Sequence, residues 1–479
     1  MRYSKDIGSY IGGSDVRGNT AITKTDPGTG TTLATIYPAD AEVIEQAISA
    51  GETAQPGWEA LGAHKRADIL KRATALIQER TDEIAALVAQ ETGRSKKQTV
   101  GEIEGAGKGG AYLIEHLGDY FAPHPLETSN PKREVTMVRS AVGTGALFTP
   151  FNTPFYQVCG KLFPALLAGN AVVIKAHELA PYTPVLATKL FIEAGVPRDI
   201  ISVLQGGREV GEALVRDSRI RFVSITGSSR AASAIITATA PRLARVSAEA
   251  GGKNPFVVMP DADLEKAVTD ALAGITIDNG QRCASTSRLI LVGDTYEPFL
   301  EHVKARLDAL TFGTDDADDI GALISEERLS AILTKVTDAG TRGTVTGGER
   351  IDRPGYFMRP ALIEGLTPDD PIAQEELFGP VAIVFRADDL SHALRIANTS
   401  PYRLSSAIHT ADEKAAERFR REHGAGVTRV NGPTFGSESH MPFGGEGLSG
   451  NGGREPGLTA LDFYTSLRQV SIDRTQPSL

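Results

Sequence analysis

The chain has only two cysteines, and one of them lies in surroundings that suit a nucleophile. Cys283 lies in NGQRCASTSRL, which is polar and contains a flexible glycine, whereas Cys159 in YQVCGKLFPALL lies among apolar residues and is interpreted as structural. A thiolate attacks carbonyl carbon readily, and the adjacent Arg282 helps to lower the pKa of such a thiol. Because a lone cysteine is more often a small buried hydrophobe, Cys283 is a candidate that needs partners.

Two other polar residues have types that would serve a cysteine nucleophile. Glu249 in VSAEAGGKNPFVV follows an apolar run and precedes two glycines, so its carboxylate could be a general base that activates water. Asn152 in FTPFNTPFYQ could donate its amide to a developing oxyanion. The alternatives are a solvated loop carboxylate for Glu249 and a turn asparagine between two prolines for Asn152.

Two further segments suit a ligand that carries phosphate and ribose. Gly227 and Ser228 stand between a strand-like run and a helical stretch, where backbone N–H groups and the helix dipole attract an anion. Lys175 and Glu178 follow the apolar run in NAVVIKAHE, where a carboxylate can accept hydrogen bonds from both ribose hydroxyls. The alternatives are a plain helix cap and a pair of solvated charges. No GxGxxG follows a strand, so the common dinucleotide fingerprint is absent.

Composition limits the class of protein. With 479 residues, two to three domains are expected at roughly 150 residues per domain. The net charge of −10 argues against nucleic acid or an anionic membrane as a general partner. No apolar stretch matches a signal peptide or a bilayer span, so a cytoplasmic protein is expected. Two cysteines exclude a disulfide framework, and the histidines form no HExxH pattern, so no metal site is expected.

The pattern of apolar residues predicts two alternations of strands and helices. Residues 41–90 are predicted to be helical, in the stretches AEVIEQAISAGETA and HKRADILKRATALIQERTDEIAALVAQ, with Gly93 ending the second. Beyond residue 134, strand-like runs alternate with helical stretches, which predicts a parallel sheet whose ligand lies beyond the carboxyl ends of the strands. The glycines of PGTGTT and GKGGAY are interpreted as turn residues. The predicted strands are AVGTGALFTPF, NAVVIKA, IISVLQG and RIRFVSITG, then NPFVVMP, SRLILVG, VAIVFR and SSAIHT, and finally TSLRQVSID.

Taken together and in order, seven motifs resemble the aldehyde dehydrogenase superfamily, of the NAD(P)-dependent, hydrolytic, non-acylating type. The resemblance covers nearly the whole chain. The motifs are TPFN (149–152), GNAVVIKAHE (169–178), ITGSS (225–229), EAGGKNP (249–255), GQRC (280–283), EELFGP (375–380) and PFGGEGLSGNGGRE (442–455). The implied α/β fold has a Rossmann-like cofactor domain, a second α/β catalytic domain and a small β oligomerisation arm. The implied bounds are 1–117 with 142–252, then 253–457, then 118–141 with 458–479.

The resemblance also implies the reaction and the roles of the site residues. An aldehyde is oxidised to its carboxylic acid through a thioester on Cys283. Glu249 is then the base for deacylation, and Asn152 forms the oxyanion hole with the backbone N–H of Cys283. NAD is the expected cofactor because of Glu178, with NADP possible and no metal required, and the assembly is a homodimer or homotetramer. The implied cofactor contacts are Lys175, Glu178, Gly227, Ser228, Glu376 and Phe378.

The identity of the aldehyde is left open by the sequence. Gly160 has no side chain where relatives often carry large ones, which predicts a wide tunnel for a bulky aromatic or long-chain aldehyde, unless neighbouring side chains refill the space. Phe155 and Tyr156 are expected to point away. The alternatives are a semialdehyde dehydrogenase for a small carboxylated aldehyde, a coenzyme A-acylating relative, and a cysteine hydrolase that pairs Cys283 with His440. The predicted pocket residues are Thr153, Gln157, Gly160, Arg282, Ala284, Phe435, His440 and Phe443.

Overall fold

Two seven-stranded sheets form the body of the molecule, in a computed structural model that describes residues 2–473. Numbered along the chain, the strands are β1 (Asp6–Ile7), β2 (Ser9–Ile11), β3 (Ser14–Val16), β4 (Ile22–Thr25), β5 (Thr32–Ile36), β6 (His124–Leu126), β7 (Arg133–Ala141), β8 (Thr144–Phe148), β9 (Ala171–Lys175), β10 (Ile201–Leu204), β11 (Phe222–Thr226), β12 (Arg245–Glu249), β13 (Asn254–Val258), β14 (Thr286–Val292), β15 (Thr344–Gly347), β16 (Ala361–Glu364), β17 (Val381–Ala387), β18 (Tyr402–Arg403), β19 (Ser405–His409), β20 (Val427–Val430), β21 (Glu446–Gly447) and β22 (Thr465–Asp473).

Helices cover both faces of each of these two sheets. The helices are α1 (Ala41–Ala60), α2 (Ala63–Glu79), α3 (Thr81–Thr92), α4 (Lys96–Glu115), α5 (Pro154–Leu167), α6 (Tyr182–Glu193), α7 (Arg208–Arg216), α8 (Ser229–Thr239), α9 (Leu264–Thr276), α10 (Tyr296–Asp308), α11 (Glu326–Ala339), α12 (Pro371–Gln374), α13 (Leu390–Asn398), α14 (Glu413–His423) and α15 (Ala460–Tyr464). Single 3₁₀ turns occur at Ala240–Arg242, Ile277–Gly280 and Gly293–Thr295.

The first sheet brings four of the predicted site residues to one edge. Its order is β12-β11-β8-β9-β10-β2-β3, and the run from β12 to β10 is parallel. Asn152, Lys175, Ser228 and Glu249 lie at or just after the carboxyl ends of β8, β9, β11 and β12. Since parallel strands point the same way, these ends share an edge of the sheet, as the strand alternation predicted.

Alternation along the strands explains how one sheet packs two helical layers. Val172 and Ile174 of β9 pack with helices α2 to α6, whereas Val173 between them packs with α1, α7 and α8. Successive side chains of a strand point to opposite faces, so a continuous apolar run buries both faces. This arrangement accounts for the apolar strand NAVVIKA and confirms the predicted α/β class.

The second sheet carries the segment that contains the candidate nucleophile. Its order is β15-β16-β17-β14-β13-β19-β20, parallel except for β15 at one edge. Helices α9 and α10 cover one face, and α11, α13 and α14 cover the other. Cys283 lies just before β14, at the end of this sheet that faces the first one.

A three-stranded sheet of order β22-β7-β6 forms a separate arm. Strand β22 pairs antiparallel with β7 along its whole length, from Thr465 opposite Ala141 to Asp473 opposite Arg133. Leu467 and Val470 of this arm are exposed to 53% and 43%. The last six residues of the predicted arm, 474–479, lie outside the described residues. Within the described chain, no helix combines the length and apolar character that crossing a bilayer requires.

Two helix predictions are wrong in detail. The stretch predicted as one helix over 64–90 is two, α2 and α3, because Arg80 leaves the helical conformation at φ −112° and ψ 19°. The glycines of GKGGAY lie inside α4 rather than in a turn. A Cβ at Gly110 would approach the ring of Phe163 to 2.5 Å, so close packing of α4 on α5 requires glycine there. Tertiary packing therefore outweighs the low helix propensity of glycine.

Candidate active site

A cavity between the two large sheets gathers the candidate catalytic residues. Cys283 reaches it from the segment before β14, Glu249 from the end of β12, and Asn152 from the segment after β8. The predicted pocket residues that also line this cavity are Thr153, Gln157, Gly160, Arg282, Ala284, Phe435 and Phe443. Residues as distant in the chain as Asn152 and Phe443 therefore surround one space.

The segment before the cysteine has an unusual backbone. Asp278, Asn279 and Gly280 are all left-handed, with φ of 48°, 60° and 72°. A left-handed conformation costs about 1–2 kcal/mol for a residue with a side chain, and Asp and Asn are among the residues that tolerate it best. Asn279 offsets this strain because its side chain accepts from the N–H of Gly321 at 2.7 Å and donates to the Ala322 carbonyl at 2.9 Å.

The thiol of Cys283 lies in surroundings that oppose its ionisation. Burial raises its pKa to about 12, Arg282 opposes this rise, and the negative charges of Glu376 and Glu249 add to it. The Asn254 amide donates to the Cys283 carbonyl at 2.7 Å and holds the backbone in place. A positive charge placed beside this sulfur would favour the thiolate.

Glu249 is a buried carboxyl with one oxygen still free to act. It is 5% exposed, Oε2 accepts from the N–H of Gly445 at 3.2 Å, and Oε1 has no hydrogen-bond partner. Burial raises its pKa to about 9, with a further contribution from Glu455, and Lys161 opposes the rise. A carboxylate with a raised pKa removes a proton from water more effectively than an ordinary one, once the pH is high enough to ionise it.

Glu455 and Lys161 form a buried ion pair in the wall of the cavity, which the sequence did not reveal. Lys161 Nζ lies 2.6 Å from Glu455 Oε2, and the hydroxyls of Tyr464 and Ser224 donate to Oε1 at 2.6 and 3.1 Å. The two partners are 294 residues apart. No local pattern signals such a pair, although Lys161 inside an otherwise apolar helix is the one available hint.

Lys175 and Glu178 form an ion pair at the edge of the first sheet. Lys175 Nζ lies 3.1 Å from Glu178 Oε2, and His177 Nδ1 lies 3.7 Å from the same oxygen. Burial would raise the pKa of Glu178, but Lys175 and His177 outweigh it and hold that pKa below the ordinary value. Glu178 is therefore charged at neutral pH, and a third of its side chain is exposed to receive ligand hydroxyls.

The turn before α8 is partly occupied by its own hydrogen bonds. Ser228 caps α8 by accepting from the Ala231 N–H at 3.2 Å, and the Gly227 N–H donates to the Glu249 carbonyl at 3.0 Å. Any anion at this position must therefore bind the Ser228 hydroxyl and the other N–H groups of the first helical turn.

A row of aromatic rings connects the Lys175–Glu178 end of the predicted cofactor site with Phe378 at its other end. Phe151 packs edge-on against His177 at 5.1 Å and against Phe378 at 5.5 Å between ring centroids. Phe378 is left-handed at φ 56°, a strained conformation of the kind that clusters at ligand-binding sites. The neighbouring Glu376 accepts from the Gly252 N–H at 2.9 Å, and burial raises its pKa to about 7.

The first turns of α5 form the remaining wall, with one departure from expectation. Thr153, Tyr156, Gln157 and Gly160 all line the cavity, which is the i, i+3, i+4, i+7 pattern of one helix face. The prediction that Tyr156 points away is therefore wrong, whereas Phe155 is fully buried. A Cβ at Gly160 would meet no atom within 4 Å, so no neighbour refills that space.

His440 does not line the cavity of Cys283. It lies in an adjoining open cleft, where its ring contacts that of Tyr112 at 5.1 Å between centroids. Its imidazole Nδ1 is 3.7 Å from Glu438 Oε2. This position gives no support to a cysteine–histidine pair of the hydrolase type.

Fold and site together have close counterparts among known proteins. The sequence model of the aldehyde dehydrogenase family matches residues 15–470. A betaine aldehyde dehydrogenase of Rhizobium etli (strain CIAT 652) is 33% identical, over 97% of this chain and 96% of the relative. The chain thus belongs to the aldehyde dehydrogenase family, and it is an NAD(P)-dependent aldehyde oxidoreductase.

Solved structures agree with this assignment. The structure of lactaldehyde dehydrogenase has a TM-score of 0.93 at 31% identity, covering 98% of this chain and 99% of that one. The betaine aldehyde dehydrogenase of Staphylococcus aureus, solved in complex with NAD⁺, has a TM-score of 0.94 at 27% identity, covering 100% of this chain and 96% of that one. The family resemblance of the seven motifs is confirmed.

Proposed function

We propose that the enzyme oxidises its aldehyde to a carboxylic acid through a thioester on Cys283, with hydrolysis assisted by Glu249. The observation that carries the proposal is that Cys283, Asn152 and Glu249 line one cavity, and that Glu249 Oε1 is unpartnered there. The carboxyl ends of β9 and β11, with Glu178, Ser228 and the start of α8, fit a dinucleotide, since they offer a charged acceptor for ribose and N–H donors for phosphate.

The proposed reaction has two stages, formation of a thioester on Cys283 and hydrolysis of that thioester. The Cys283 thiol gives its proton to solvent, the resulting thiolate adds to the aldehyde carbon, and the Asn152 amide with the Cys283 backbone N–H stabilises the oxyanion that forms. A dinucleotide held by Glu178, Ser228 and the start of α8 would supply the oxidation as a hydride acceptor. Glu249 then takes a proton from a water molecule that attacks the thioester carbon, and the Cys283 sulfur leaves.

The reaction is tested by mixing the enzyme with an aldehyde and NAD⁺ and measuring NADH and the acid product. Formation of both in equal amounts supports the hydrolytic reaction. A strict requirement for coenzyme A or phosphate would identify the acylating alternative instead. Ester turnover without any NADH from aldehydes would identify a hydrolase.

For the substrate, we infer a bulky apolar aldehyde, aromatic or long-chain. Support comes from the open space at Gly160 and from the aromatic walls formed by Tyr156, Phe435 and Phe443. One observation favours the alternative of a small carboxylated aldehyde. The Arg282 guanidinium lines the cavity and remains 33% exposed, although it also pairs with Asp278 at 3.0 Å. A panel of aromatic, long aliphatic and ω-carboxy aldehydes, ranked by kcat/KM, distinguishes a bulky apolar substrate from a small carboxylated one.

Gly160→Trp should lower kcat/KM for bulky aldehydes by about 10-fold or more and leave acetaldehyde much less affected. The indole would occupy the open space, and three buried methylenes correspond to about 2 kcal/mol of binding. Gly57→Trp is the matched control. A Cβ at Gly57 also meets no atom within 4 Å, but Gly57 lies at an exposed position of α1, outside the cavity. Equal losses for all chain lengths, or a wild-type preference for acetaldehyde, would contradict the bulky-substrate proposal.

The wild-type enzyme should have a higher kcat/KM with NAD⁺ than with NADP⁺. The charged Glu178 carboxylate accepts hydrogen bonds from the ribose 2′-OH and repels a 2′-phosphate. Glu178→Gln should narrow the NAD⁺/NADP⁺ ratio, mainly by improving the KM for NADP⁺. Steady-state kinetics with both cofactors measures this, and a wild-type preference for NADP⁺ would show that Glu178 has another role.

We also propose that residues 1–117 with 142–252 form the cofactor domain and that residues 253–457 form the catalytic domain. Residues 118–141 with 458–479 would form an arm through which the enzyme oligomerises. The exposed apolar side chains of the arm, Leu126, Leu467 and Val470, support a dimer or tetramer that covers them. Sedimentation of the purified protein distinguishes monomer, dimer and tetramer.

A further inference from the structure

One buried guanidinium lies between the two parts of the active centre. Arg94, in the turn between α3 and α4, has a side chain that is only 2% exposed, and it forms ion pairs with both Glu102 and Asp278. These carboxylates are themselves 2% and 4% exposed. Arg94 and Glu102 belong to the helical layers of the first sheet, whereas Asp278 belongs to the segment before β14. The Arg94–Asp278 pair therefore crosses the cleft between the sheets, and Glu102, Arg94, Asp278 and Arg282 form a charged bridge between them.

The Glu102 end of this bridge leads to the oxyanion side of the site. While one oxygen of Glu102 pairs with Arg94, Oε1 accepts from the N–H groups of Phe155 and Tyr156 at 2.8 and 3.0 Å. These are the first free donors of α5, which begins two residues after Asn152. The position of Asn152 is thus tied to the Glu102 carboxylate.

The Asp278 end leads to the nucleophile. Asp278 Oδ1 accepts from Arg94 at 2.8 Å, and Oδ2 accepts from Arg282 at 3.0 Å. Asp278 is also the first of the three left-handed residues, and Arg282 directly precedes Cys283. Because a strained conformation persists only when its surroundings fix it, the Arg94–Asp278 pair is part of what holds this segment.

We infer that Arg94 is a positioning residue: its planar fork sets the distance between Asn152 and Cys283 by binding Glu102 and Asp278 at once. Two guanidiniums and two carboxylates alternate in the bridge, so each buried charge has an opposite partner. Loss of Arg94 leaves the buried Glu102 without a cation and Asp278 with Arg282 alone, and the segments that carry these carboxylates must move to recover solvent or other donors. A lysine keeps the charge but lacks the fork. The inference rests on the proposed roles of Cys283 and Asn152.

Arg94→Met should lower kcat per folded molecule by about 10²-fold, the loss typical of a misplacement of about 1 Å, with the Kd for NAD⁺ changed by less than about threefold. Arg94→Lys should recover part of the loss, to within about tenfold of wild type. The matched control is Arg66→Met, which removes another buried guanidinium, one that binds only the backbone carbonyls of Trp58, Glu59 and Leu167. It should lower the Tm but keep kcat per folded molecule within about threefold.

Alkylation of Cys283 by iodoacetamide, in a Cys159→Ser background, provides a readout that is independent of turnover. Arg94→Met should change the rate of this alkylation at every pH tested. A wild-type kcat for folded Arg94→Met, or an equal loss in Arg66→Met, overturns the inference. Should Arg94→Met not fold, Arg94→Lys decides: kcat lowered with NAD⁺ binding intact supports the role, and a wild-type kcat rejects it. Activity surviving in Cys283→Ser would instead reject the proposed function itself.

Discussion

Cys283→Ser should lose aldehyde oxidation down to the limit of detection while NAD⁺ binding persists. A hydroxyl at neutral pH is a far weaker nucleophile than a thiolate, and serine leaves the shape of the cavity nearly unchanged. Stopped-flow measurement of NADH tests the loss, and calorimetric titration with NAD⁺ tests the retained binding.

The other cysteine supplies the control for this substitution. Cys159 is fully buried in α5, and burial raises the pKa of its thiol well above the ordinary value. Cys159→Ser should therefore have little effect on kcat, although it can lower the Tm. Substantial oxidation of aldehyde by Cys283→Ser would contradict the assignment of the nucleophile.

Glu249→Gln should produce a burst of NADH followed by a steady state slower by about 10²–10⁴-fold. Thioester formation does not need the carboxylate, whereas its hydrolysis loses the base. Because burial raises the pKa of Glu249 to about 9, the carboxyl is protonated at pH 7 and cannot accept a proton from water. The rate of thioester hydrolysis in the wild type should therefore rise between pH 7 and pH 9 and level off above, whereas thioester formation should follow the Cys283 thiol, whose pKa is about 12.

The pH profile of the variant separates this explanation from a structural effect. Glu249→Gln should lack the rising limb near pH 9, and Asn152→Asp should keep it although its turnover is lower. A variant that turns over at the wild-type rate, or that keeps the same limb, would show that another group is the base.

The central strands of both sheets could be predicted because each is a short apolar run that ends at polar or glycine residues, whereas β2, β3, β15, β16 and β20 were not predicted. The strand TSLRQVSID matches β22 in full, and the ends of NAVVIKA and RIRFVSITG correctly located Lys175 and Ser228. What could not be predicted depends on contacts distant in sequence. The helical state of GKGGAY follows from the close approach of α4 to Phe163, a residue more than 50 positions later.

The candidate site was predictable where a motif carries it and unpredictable where only folding creates it. Cys283, Glu249 and Asn152 lie in recognisable motifs and line one cavity. Tyr156 was misassigned because one residue of register decides which face of α5 a side chain occupies. The Arg94–Asp278 and Lys161–Glu455 pairs could not be predicted, since the partners are 184 and 294 residues apart in the chain.

The final segment of the chain is what completes the first half of the molecule. Glu249 is held by Gly445 and bridges to Gly450, Lys161 pairs with Glu455, and β7, which already pairs with β6, gains its second partner from β22. During synthesis, residues 133–141 therefore leave the ribosome more than 300 residues ahead of β22. A nascent chain that already displays Cys283 still lacks the walls of its catalytic chamber. The cavity around Cys283 is therefore complete only after the residues up to Pro456 have been synthesised.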